Sequence, residues 1–186
     1  MVTEGTSHRN GAFLKRMRPM KLVIALAAAA TLSCAGLSGA AVPGGQPVDG
    51  IRCDRMEGAV LHIHQHLAIS DHGKMVAIPD DVGRPFTAQC FYWLHTHTPD
   101  GIIHIESPNF KSFMLGNFFD VWGEPLSKAN VAGAKPRKGE HVAVWVDGHP
   151  YTGDLRKIDL TQHLDVTIEV GPPYRKPAPF TDWNGN

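Results

Sequence analysis

Two stretches of this chain alternate imidazole with hydrocarbon, and few folds accept that pattern. Residues 60–70 read VLHIHQHLAIS. His62, His64 and His66 recur at every second position against Leu61, Ile63, Leu67 and Ile69, with Gln65 the one polar exception. Residues 90–107 read CFYWLHTHTPDGIIHIES and repeat the theme. Successive strand side chains point to opposite faces, so each stretch predicts a β-strand with a polar and an apolar side. Pro99-Asp100-Gly101 predicts a tight turn inside the second stretch. A two-residue loop at Asp100-Gly101 sets His97 opposite His104 and His95 opposite Glu106. That register gathers His95, His97, His104 and Glu106 on one face and Tyr92, Leu94, Thr96, Ile103 and Ile105 on the other. A type I turn with a glycine bulge shifts the pairing by one residue, sets Thr96 opposite His104 and splits the imidazoles.

Seven side chains are candidate metal ligands: His62, His64, His66, His95, His97, His104 and Glu106. Imidazoles on one strand lie about 7 Å apart, so a single strand offers two of them to an ion and a second strand must complete the shell. Nitrogen donors with one carboxylate favour a divalent transition metal, copper or zinc foremost, with nickel, iron or manganese as alternatives. They argue against calcium and magnesium. Imidazole binds metal only when neutral, so affinity is expected to fall as pH drops through about 6.5. The bland alternative is a half-buried polar face whose histidines hydrogen-bond or stack on Tyr92 and Trp93. His72, His141, His149 and His163 stand alone and read as solvated.

Three functions remain open. The first is a metal buffer, carrier or sensor. The second is a metal-dependent enzyme, for which Glu106 or Asp100 would have to serve as base. The third is an interaction module without metal, presenting Phe91, Tyr92, Trp93 and the proline-rich tail. An enzyme is the less favoured of the first two, and no catalytic residue is assigned. The sequence has no nucleophile elbow and no phosphate loop, which argues against catalysis without a metal. With 18 basic and 18 acidic residues the formal charge is zero, so nothing points to nucleic acid or to a polybasic membrane surface.

The first 41 residues read as a signal peptide. Lys15, Arg16, Arg18 and Lys21 precede the apolar run 22–33, and small residues near Ala40 fit cleavage before Ala41 or Val42. The run is short for a bilayer span. Cys34 could accept a lipid, although 31–33 match the usual pattern poorly. A periplasmic or secreted location follows, with no stable membrane span in the mature form. It leaves Cys53 and Cys90, which an oxidising compartment would join as a disulfide.

Residues 42–58 are expected to be a linker or arm, 59–172 a single histidine-rich domain, and 173–186 a proline-rich tail that lies on it through Phe180 and Trp183. Further strands are expected at 74–78, 141–146 and 164–170, with a two-residue turn at Asp147-Gly148. Residues 112–122 predict one short helix, capped by Ser112 and Gly123, with Leu115, Phe118, Phe119 and Trp122 as its apolar stripe. Residues 125–139 read as a polar connection. The sum is an α+β fold with a mixed or antiparallel sheet on one helix, β-grasp-like, or else a small barrel or sandwich.

The motifs HIHQHLAI, LHTHTPDGIIHIESP, LGNFFDVWG and VWVDGHPYTGD resemble those of an uncharacterised family of bacterial exported histidine-rich proteins, over roughly residues 50–172. The resemblance implies export, a single domain and histidine motifs that act as one unit.

Overall fold

A computed structural model describes residues 45–183. The expected signal peptide, its cleavage site and Cys34 lie outside the described residues. The elements in order are β1 (Cys53–Asp54), β2 (Leu61–Asp71), β3 (Lys74–Met75), β4 (Phe91–Tyr92), β5 (Leu94–His95), β6 (Ile102–Ser107), α1 (Leu115–Trp122), β7 (Leu126–Ser127), β8 (Asn130–Val131), β9 (Val142–Val146), β10 (His149–Pro150) and β11 (Asp165–Val170), with a 3-10 turn at Leu155–Lys157. Among the described residues the fold is β-rich with one short helix, and the main sheet is open rather than a closed barrel. Among the described residues no helix is long and apolar enough to cross a membrane.

The main sheet runs β10-β9-β11-β2-β6-β5, with β3 also paired to β2. The long strand β2 lies at its centre, parallel to β11 and antiparallel to β6. Pairing in register preserves the alternation across strands. Ile63, Leu67 and Ile69 of β2 share a face with Ile103 and Ile105 of β6 and with Val166, Ile168 and Val170 of β11. That face is the core, and Leu115, Phe118 and Phe119 of α1 are fully buried in the same cluster. Gln65 also points into the core, is fully buried, and its amide has no hydrogen-bond partner. The opposite face carries the histidines.

The expected tight turn at 147–148 forms, and another lies at 72–73. His72 and Gly73 both have positive φ between β2 and β3, as do Asp147 and Gly148 between β9 and β10. These are the left-handed positions that two-residue hairpin loops require. The second strand ends at Met75 rather than Ile78. Residues 125–139 contain the β7–β8 hairpin, too short to leave a periodic trace in the sequence. Helix α1 starts at Leu115, not Ser112, because Phe113 is buried and the Leu115 N–H donates to the Ile158 carbonyl. Met114 takes the N-cap position, and the Asn117 side chain accepts from its N–H. Gly123 ends the helix in the left-handed conformation, as expected.

Of the aromatic run expected to face a partner, Phe91 is half-buried and the next two residues are buried. Tyr92 and Trp93 are almost wholly inaccessible, and the Trp93 indole donates to Asp54. They are core residues and offer no partner surface. The tail does lie on the domain: Phe180 stacks on His66 and Trp183 on His163.

Cys53 and Cys90 form the expected disulfide, joining the arm to the strand pair β1–β4. Its 37-residue separation predicts a stabilisation of about 3–4 kcal/mol through the unfolded chain. The Cys53→Ser/Cys90→Ser double variant should therefore unfold at lower urea concentration, by that free-energy difference. Equilibrium denaturation followed by tryptophan fluorescence checks it.

Candidate metal centre

The histidine face begins with the pairing of β2 and β6. His62 lies opposite Glu106 and His64 opposite His104. Strand β5 adds His95, directly opposite His104. This register differs by two residues from the one favoured by a two-residue loop, which set His97 opposite His104. The reason is a contact with another segment. The Thr96 hydroxyl donates to the Pro79 carbonyl and accepts from the Val82 N–H, and the Thr96 N–H donates to the Val82 carbonyl. Thr96 is thereby drawn to the 79–89 loop, and β5 ends one residue earlier, at His95. The Asp100 carboxylate accepts from the Thr98 hydroxyl and the Ile102 N–H. Asp100 is a turn-builder, exposed, and not a base within the cluster. A slip of two residues returns each side chain to its own face, so His95, His104 and Glu106 still converge.

The arm contributes a carboxylate that strand periodicity does not reveal. Glu57 follows β1, and its Oε1 lies 3.8 Å from His95 Nε2 and 3.7 Å from His97 Nε2. Gly58 makes this approach possible, because a Cβ there would lie 2.3 Å from the Ser107 carbonyl carbon. The Gly58 N–H donates to the Glu106 carbonyl and the Val60 N–H to that of Ser107. With the disulfide behind it, the arm is held along β6 with Glu57 over the imidazoles. The only sequence signal was a carboxylate beside a glycine in the stretch between a cysteine and a strand.

Among the described residues, two groups of side chains could hold a metal ion: His62, His64 and His104, and Glu57, His95, His97 and Glu106. In each, the donor atoms lie within 4.8 Å of one another. His62 Nε2 and His64 Nε2 are 3.1 Å apart, and His95 Nε2 and His97 Nε2 are 3.0 Å apart. With metal–nitrogen bonds of about 2.0–2.1 Å, two donors on one ion sit roughly 2.9 Å apart at a square corner and about 3.3 Å apart along a tetrahedral edge. The imidazole pairs fall between these values.

His66, also expected here, is placed elsewhere. Its Nδ1 is 2.8 Å from Asp165 Oδ1 and its ring lies 3.7 Å from that of Phe180. It follows the alternation of β2, but β11 and the tail claim it. His72 is not free in solvent either: Glu140 and Asp71 both accept from it, and these two hydrogen bonds hold its pKa above the ordinary value. His141 stacks on Tyr174.

The environment prepares the donors. The buried His95 Nδ1 donates to the Tyr92 carbonyl at 2.8 Å, which fixes the tautomer and leaves the Nε2 lone pair facing His97 and Glu57. Burial, with the neighbouring imidazoles adding to it, pushes His64 down to about 4 and His104 down to about 3. Burial also takes His95 down to about 4, against the opposing pull of the Tyr92 carbonyl. His97 is lowered by burial and then by the Arg84 guanidinium. Glu106 is raised by burial and by the charge of Glu57. Neutral imidazoles with two mutually repelling carboxylates suit a cation. Proton competition at the three buried rings thus moves below the window near pH 6.5 expected of ordinary imidazole. His64 and His104 each bury an Nδ1 without a hydrogen-bond partner; that of His104 lies 3.8 Å from Glu106 Oε1, whereas His64 faces His62 through Nε2.

No protein-family model, curated protein or solved structure matches this chain.

These shifts make the metal-free protein acid-sensitive. An imidazole whose native pKa is depressed withholds the proton that the unfolded chain binds near pH 6.5. The stability is complete above pH 6.5 and is lost as pH falls from there toward about 4. Thermal melts of metal-free protein between pH 7.5 and 4.5 should show a falling Tm. His104→Phe, which removes the most depressed ring, should flatten the slope.

Proposed function

We propose that this protein is an exported binding protein for a divalent transition metal, copper or zinc foremost, acting as a buffer, carrier or sensor. The observation that carries the reading is the convergence of Glu57, His95, His97 and Glu106 from the arm, β5, the following loop and β6. Four donors drawn from separate segments meet within 4.8 Å, and one of them is held in the ligand tautomer by a backbone carbonyl. The chemistry of the set supports the choice of metal: imidazole nitrogen and carboxylate oxygen suit zinc, copper(II), nickel, iron or manganese, and the donors include no thiolate. When bound, the ion would supply positive charge to a buried, carboxylate-bearing face. The chain's own part is to hold neutral imidazoles in place and to keep Glu57 and Glu106 beside them. The disulfide and the signal-like N-terminus support an oxidising, extracytoplasmic compartment.

The expected result is about one or more equivalents of copper or zinc on protein exported to the periplasm and purified without a histidine tag or chelator. Mass spectrometry of metal content checks it. His95→Ala/His97→Ala should lose at least one equivalent while the far-ultraviolet circular dichroism is kept. A metal-free protein that takes up no ion on titration would refute the reading.

A further inference from the structure

We propose that this face holds two divalent ions rather than one, as a carboxylate-bridged pair. In this arrangement Glu106 joins a site formed by His62, His64 and His104 to a neighbouring site formed by Glu57, His95 and His97. The inference rests on the metal-binding reading above and deepens it.

Donor number is the first argument. Seven side chains converge, in two sets rather than one. A four-coordinate ion of the zinc type uses four, so a single ion would leave at least one imidazole of the other set unliganded. His64 and His104 are more than nine-tenths buried, and the unpartnered Nδ1 of His104 lies 3.8 Å from Glu106 Oε1. A lone ion in the Glu57 set does nothing for His64.

The position of Glu106 is the second argument. Its Oε1 lies 3.2 Å from His62 Nε2 and 3.8 Å from His104 Nδ1, both in the first set. The same oxygen lies 3.9 Å from His95 Nε2 in the second. A carboxylate has two oxygens and several lone pairs, so one group can serve two ions at once. Glu106 is itself buried and has no cationic side chain from Lys or Arg among its ion pairs.

The strands supply the spacing. The first set stands mainly on β2 and β6, and the second on β5, the loop after it, and the arm. Neighbouring strands lie about 4.7–4.9 Å apart, and paired metal ions at shared carboxylates sit about 3.5–4 Å apart. His95 and His104, directly opposite across β5 and β6, are stacked with ring centroids 5.7 Å apart, one ring for each set.

Native mass spectrometry of Zn²⁺-titrated protein tests the count, and electron paramagnetic resonance of the Cu²⁺-loaded protein tests the bridge. Wild type should bind two Zn²⁺ per chain. His62→Ala/His64→Ala and Glu57→Gln/His97→Ala should each bind one. Loaded with Cu²⁺, wild type should show a half-field signal or a spin count below two, and each variant a full count of one isolated ion. Glu57→Gln alone, on the partly exposed arm, serves if a double variant fails to fold, and should weaken the second Zn²⁺ at least tenfold. A single Zn²⁺ in wild type that both variants lose would overturn the pair while leaving the metal-binding reading intact. Two Cu²⁺ with independent signals would overturn the Glu106 bridge. No uptake by wild type would overturn both readings.

Discussion

The alternation of β2 is the constraint on which the rest of the structure depends. This strand is paired on both sides, to β11 in parallel and to β6 in antiparallel register. Its odd-numbered residues must meet the core and its even-numbered ones must not. A shift of one residue against either neighbour would put His62, His64 and His66 against Phe118 and Phe119 and bring Ile63 and Leu67 to the outer face. The apolar side therefore fixes the polar side. Packing of Ile69, Ile103, Ile105 and Ile168, all fully buried, determines which imidazoles meet.

Such a face is costly to fold. Buried imidazoles are held neutral, two carboxylates face one another, and the Nδ1 atoms of His64 and His104 lack partners. The fold offsets this away from the site. The helix stripe closes the core, the disulfide restrains the arm, and the Thr96 hydroxyl links β5 to the 79–89 loop. Depressed imidazoles and neighbouring carboxylates gathered on one face are a pattern common to functional sites.

The tail and the arm divide the outer face between them. Phe180 and Trp183 cover His66 and His163 on one side. The arm brings Glu57 to the other. His66 shows how this division turns a candidate ligand into a structural residue: the same alternation that brought His62 and His64 to the cluster brought His66 to Asp165. Asp165 in turn accepts from the Phe180 N–H, so one carboxylate holds both the histidine and the tail.

By itself, the sequence determined what a period of two and local turn chemistry can determine. The strands at β2, β6, β9 and β11, the glycine turns, the helix stripe and the side to which His62, His64, His95, His104 and Glu106 point were all legible, because each depends on neighbours within a few residues. The cysteine pairing was legible because only two cysteines remained once the N-terminal segment was set aside. The tertiary structure decided the rest. The slip of β5, the burial of Tyr92 and Trp93, the start of α1 at Leu115, the loss of His66 to Asp165 and the arrival of Glu57 all rest on contacts between segments distant in the chain. No local pattern encodes such contacts, since their free energy comes from burial and hydrogen bonding that exist only once the strands have paired.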